Sequence, residues 1–218
     1  MVYPESVNDV QKRVFPAVLL FLYLAEFSVL AIHPYDRAVW IAENAPIVLI
    51  VAFLLITDRW FQFSNTAYLL MSFLIFLHTI GGHYSFERVP FGWVTHLIGA
   101  QRNHFDRVAH FTVGFYAFAV AEFVECKHLS RARWFTGLFA VFAICTVALG
   151  YEIFEWRYAV TADPAAGIAV LGSQGDPWDA QEDMLADALG AIAATGLYFS
   201  IRREGFSHHK EPATVVSA

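Results

Sequence analysis

The chain has 218 residues, of which 57% are hydrophobic, 17% aromatic and only 16% charged. Soluble domains usually carry about a quarter charged residues, and a formal net charge of −6 leaves no basic patch for nucleic acid. A membrane-spanning helix needs roughly 20 mostly apolar residues, so this length accommodates about six of them with short loops and excludes a separate soluble domain.

The first apolar run, 14–32, follows Lys12 and Arg13. It exceeds a signal-peptide core and no small-residue cleavage site follows, so it is expected to be retained. It carries one isolated carboxylate, Glu26, which a bundle must keep protonated or pair with another helix. The second run is 38–57. The third, 66–84, has His78 and His83 near its end. The fourth, 107–126, is entered through Asn103-His104-Phe105-Asp106-Arg107 and carries His110. The fifth, 134–153, finishes in Tyr151-Glu152-Ile153-Phe154-Glu155-Trp156. The sixth, 181–201, follows Asp176-Pro177-Trp178-Asp179 and carries Asp183 and Asp187. Backbone groups in hydrocarbon must pair internally, so each run is expected to be helical. The fold class is all-α, a polytopic bundle of about six transmembrane helices. Residues 1–205 form one domain, and 206–218 form a polar tail whose His208 and His209 need no role. Cys126 sits near a helix end and Cys145 inside an apolar run, so no disulfide is expected.

Basic residues set the orientation. With both termini cytoplasmic, the inner segments carry nine Lys and Arg and the outer segments five, namely Arg37, Arg88, Arg102, Arg107 and Arg157. Of the 20 acids, 13 then fall on the outer side, with His33, His78, His83, His96, His104 and His110. The polar cluster is therefore expected on the outer face of the membrane. The six Trp residues lie near span ends or in loops, as an interfacial belt does.

Alternating helix direction gathers the ionisable residues. Spans three and five end, and spans four and six begin, at the same face. Asp106 and His110 are four apart and share a helix side, as do Glu152 and Glu155 at three apart. Asp179, Asp183 and Asp187 make an i, i+4, i+8 stripe about 12 Å long. Asp176 before Pro177 also reads as an N-cap, and Asp179 complements the helix dipole. Neither role covers Asp183 or Asp187. Asp106 and Arg107 can form an interfacial ion pair, with each other or with lipid headgroups.

The stretches 78–84, 103–111, 151–156 and 174–184 resemble the YjdF-type family of bacterial inner-membrane proteins, over most of the chain. The resemblance implies a polytopic membrane location and no particular reaction. A weaker likeness is to VanZ-like membrane proteins, through Asp106-Arg107 with His110, then Glu152 or Glu155, then Asp183 and Asp187 before Gly190. There Arg107 stands for the usual Lys and Asp187 for the usual Asn. That likeness implies an envelope role.

Histidine and carboxylate ligands suit a divalent metal, zinc first, with manganese, iron or magnesium as the others. The expected ligands are His83, His104, His110, Asp179 and Asp183. Glu152, Glu155 and Asp106 are the expected general acid or base. His78, Asp176, Asp187 and Glu26 complete the candidates. The loop from Arg157 to Gly175 reads as a lid. The expected function is a metal-dependent enzyme acting on a lipid or lipid-linked envelope substrate. The alternatives are a proton-coupled transporter and a non-enzymatic binding or accessory protein. Membrane lipids are the expected partners.

Overall fold

The computed structural model describes residues 7–97, 99–161, 167–168, 171 and 173–207, with backbone alone at 7–12 and 203–207. The described residues contain helices and no strand. Six spans are long and apolar enough to cross a membrane: Arg13–Leu30, Arg37–Thr57, Asn65–Tyr84, Phe105–Cys126, Arg133–Thr161 and Asp179–Arg202. The first three lie in α1 (Val7–Leu30), α2 (Arg37–Thr57) and α3 (Asn65–Tyr84). A 3₁₀ turn at Phe86–Arg88 and a short α4 (Gly92–Leu97) follow. The fourth span is α5 (Phe105–Val113) plus α6 (Tyr116–Cys126). The last two are α7 (Arg133–Thr161) and α8 (Asp179–Ser207).

The structure departs from the sequence reading in two spans. The fourth span is interrupted at Gly114 and Phe115. A Cβ on Gly114 would lie 2.3 Å from the Ala191 nitrogen, and one on Gly190 would lie 2.0 Å from the Phe111 carbonyl oxygen. The two glycines therefore let the backbones of α5 and α8 cross in contact, and the turn sits at that crossing. The fifth span runs to Thr161 rather than ending near 153, so Glu155 and Trp156 are helical and the proposed lid loses its first turn. Gly172 of that lid, Asp163, His208 and His209 lie outside the described residues.

The apolar surface is arranged for lipid. Phe21, Leu49, Phe53, Phe142 and Val147 are exposed along the spans, an extent of apolar surface that soluble monomers do not show. Small residues fill the centre: Ala67, Ala117, Ala121, Ala140 and Ala191 are fully buried around Phe118 and Tyr198. Close helix approach through small residues is the usual packing in membranes, where association rests on van der Waals contact. Trp60, Trp93, Trp134, Trp156 and Trp178 are exposed, while Trp40 is half-buried against Phe27.

Candidate functional site

Helices α5 and α8 both begin at the site face and pack along each other. Their N-terminal dipole ends favour acids in the first turn, where Asp106 and Asp179 stand. The four-residue spacing turns Asp106 and His110 to one side of α5, opposite Asp183 and Asp187. His110 Nδ1 lies 3.3 Å from Asp187 Oδ2. His110 Nε2 lies 3.7 Å from Asp106 Oδ1 and 3.8 Å from Asp183 Oδ1. One ligand atom from each of Asp106, His110 and Asp183 falls within 4.8 Å of the others, and all three residues are buried. A tetrahedral ion with bonds near 2.1 Å holds its donors about 3.4 Å apart, so His110 Nε2 would close on each carboxylate by a few tenths of an ångström, and no pair of the three by more than about 1.4 Å. An Nδ1–H donated to Asp187 leaves the Nε2 lone pair facing the other two carboxylates, the tautomer that metal-bound histidines take.

Above this group lies an arginine clamp. Arg102 pairs with Asp176 at 2.9 Å and Asp179 at 2.8 Å. Arg107 reaches Asp179 at 2.7 Å and Glu182 at 3.0 Å, and also binds Asp183. Arg107 thus pairs across to α8, and not with its neighbour Asp106 as the sequence suggested. Asp176 binds on both oxygens, Oδ1 accepting from the Trp178 amide at 2.9 Å and Oδ2 holding Arg102; α8 begins only at Asp179, so Asp176 does not stand at its N-cap. Asn103 and Gln174 tie the two entering loops together: the Gln174 side-chain amide accepts from the Asn103 backbone N–H at 3.1 Å and donates to the Asn103 carbonyl at 2.9 Å.

Beside the group lies a second polar set. The Tyr151 hydroxyl donates to Glu43 Oε2 at 3.2 Å and lies 3.2 Å from His78 Nε2. Gly82 allows this approach of α2 and α3, since a Cβ there would meet Asn44 Nδ2 at 2.8 Å. Glu152 and Glu155 of α7 are buried, and Glu152 is within electrostatic reach of His110 and Asp183. Glu43, Tyr151, Arg102 and Arg107 had not been singled out as site residues. Glu43 lay among the acids on the site side but has no ionisable partner at helical spacing to mark it; Tyr151 opened a quoted motif and stands four residues before Glu155, the signal that could have found it.

Other candidates lie apart. His83 Nδ1 is 2.7 Å from the Leu30 carbonyl, fastening α3 to the end of α1. His104 is the N-cap residue of α5 and makes no side-chain cap bond. Partial burial, then the guanidiniums of Arg102 and Arg107, hold its imidazole below the ordinary value. Glu26 is half-buried on α1, remote in sequence and element from the α5–α8 group.

This arrangement can be set against known proteins. The family described as Predicted membrane protein (DUF2238) matches residues 15–204. The chain belongs to that family. The inner membrane protein YjdF of Escherichia coli (strain K12) is 36% identical over 171 residues, covering 74% of this chain and 78% of that protein. No solved structure matches. Membership spans all six helices and every member of the site, so the chain is a YjdF-like integral membrane protein carrying a buried acidic and histidine group.

Proposed function

We propose that the chain is a divalent-metal-dependent membrane enzyme acting on a lipid or lipid-linked substrate, with Asp106, Asp183 and His110 Nε2 as ligands. One observation carries this reading: His110 Nδ1 faces Asp187 while Nε2 faces two buried carboxylates. Carboxylates buried around one imidazole repel each other unless a cation or protons join them. A bound divalent ion would supply the charge and polarise a substrate oxygen or a water. Asp187 orients the imidazole. Arg107 holds Asp183 and Asp179 in place from the rim. Glu152 and Glu155, on the helix facing the group, are the proton carriers in this reading. Asp179 is taken by Arg102 and Arg107 and supports the group from outside; His83 and His104 are likewise placed outside it.

The location proposed is the bacterial inner membrane with both termini in the cytoplasm. The name of the Escherichia coli relative and the nine-to-five bias of Lys and Arg support this. The site would then face the periplasm.

Elemental analysis of detergent-purified protein tests the metal. Near-stoichiometric zinc, manganese, iron or magnesium that falls to background in His110→Ala supports the reading. Folded, metal-free protein after metal supplementation overturns it. A second reading, proton-coupled transport, draws on the Glu43–Tyr151–His78 chain of hydrogen bonds. Proton flux in proteoliposomes that stops in Tyr151→Phe would favour it. Absence of both metal and flux would leave a binding or accessory role.

A further inference from the structure

A cavity of about 310 Å³ lies among α2, α3, α5 and α7, a volume in the range of small-ligand pockets. Its wall changes character along its length. At the level of the site it is formed by His78, Tyr151 and Glu155; farther into the spans it is formed by Ile50, Leu74 and Val147. Glu155 and Val147 are eight residues apart on one helix, about 12 Å at 1.5 Å per residue. The cavity is therefore elongated along the helices, polar at one end and apolar at the other.

Its opening is sideways. Leu49 on α2 and Val147 on α7 both line it and are 70% and 60% exposed on the outside of the bundle. Both lie within spans, so the medium at that opening is bilayer hydrocarbon. The polar wall has unmet demand: His78 Nδ1 and Asp187 Oδ1 are buried without a hydrogen-bond partner. Water is a poor occupant of the apolar half, and a charged headgroup entering at mid-depth is costly. An amphiphile with its chain along the helices satisfies both halves.

We propose that this cavity holds an aliphatic chain of a membrane lipid, which enters between α2 and α7 and presents its polar junction to His78 and the Asp106–His110–Asp183 group. The inference rests on the proposed enzymatic reading for its purpose, and on the cavity alone for its occupant.

The test uses the full chain in phosphatidylcholine vesicles doped with a phosphatidylcholine carrying a diazirine in one acyl chain. After irradiation, adducts are mapped by mass spectrometry. The expected result is labelling of the interior residues Leu74 and Val113, falling to background in Ala148→Phe, while outward Phe142 stays labelled. Ile50→Phe is a second blocking variant, so a folding defect in one leaves the other to decide. Unlabelled Leu74 and Val113, or interior labelling that neither variant lowers, overturns the proposal. Interior labelling of a protein that binds no metal upholds the slot and refutes the metal; metal without interior labelling does the reverse.

Discussion

At the end of the bundle where α3 begins and α6 and α8 finish, the buried Glu122 and the half-buried Asp58 and Glu125 all meet donors. Glu122 accepts from the Ser64 amide at 3.1 Å and its hydroxyl at 2.9 Å. Asp58 accepts from the Tyr68 hydroxyl at 3.0 Å, and Glu125 from the Tyr198 hydroxyl at 2.7 Å. At the opposite end, carboxylates face carboxylates. Glu43 Oε1, Glu152 Oε1 and Asp187 Oδ1 are buried with no partner; Arg102 serves the rim alone, and of the central group Arg107 reaches Asp183 only. The first arrangement is a lock between helices, complete in itself. The second is short of positive charge and of donors, which marks it as a place for a cation and a substrate. Burying a polar group is tolerable when it is hydrogen-bonded and costly when it is not.

Substitutions can break this contrast. The largest effect expected is from Gly190→Leu, because its side chain would start 2.0 Å from the Phe111 carbonyl oxygen. Backbone cannot give way as a side chain can, and a loss of about 3 kcal/mol or more is expected. Thermal unfolding in detergent would show it; an unchanged midpoint would refute the α5–α8 crossing and with it the site. Next, Asp183→Asn removes a proposed ligand and a partner of Arg107. Metal content should fall to background, and stability by up to about 3–5 kcal/mol if the pair behaves as a broken buried ion pair. Retained metal would sink the ligand assignment. Asp187→Asn should act more gently, lowering metal affinity about 10–100-fold by loosening the imidazole while the fold persists. A competition titration with a chelator measures that.

At the other end, Glu122→Gln trades one acceptor for a donor against Ser64. A loss of about 1 kcal/mol is expected, with metal content unchanged; metal loss there would erase the distinction between the two ends. The smallest effect concerns His104. Its imidazole should titrate below 6.5 by NMR, and in Arg102→Gln the midpoint should move upward because a neighbouring positive charge is gone. The fold disfavours the charged form, so the stability held by the neutral imidazole is fully present above 6.5 and is lost as pH falls from there through the lower folded midpoint. A midpoint at or above 6.5 would contradict the placement of the two guanidiniums.

Much of this molecule was legible in the chain. Runs of apolar residues determined six helices, because hydrocarbon leaves the backbone no other way to pair its polar groups. Alternation of direction then determined that His78, Asp106, Glu152 and Asp183 meet at one face. Spacing determined that Asp106 and His110 act together, since a helix repeats near four residues. What the chain could not reveal was which of the gathered residues touch. Asp179 and Asp183 look equivalent in sequence, yet a guanidinium pair takes the first, and the second sits beside His110 as well as Arg107. His83 and His110 look equivalent too, yet one is turned to a carbonyl of α1 and the other to three carboxylates. Glu43 and Tyr151 stand 108 residues apart and meet only because α2 and α7 flank the same cavity. Local pattern fixes which side of a helix a residue occupies. Partner choice depends on how helices rotate and cross, and here that is set by backbone contact at Gly114 and Gly190, a relation between distant residues that no local spacing contains.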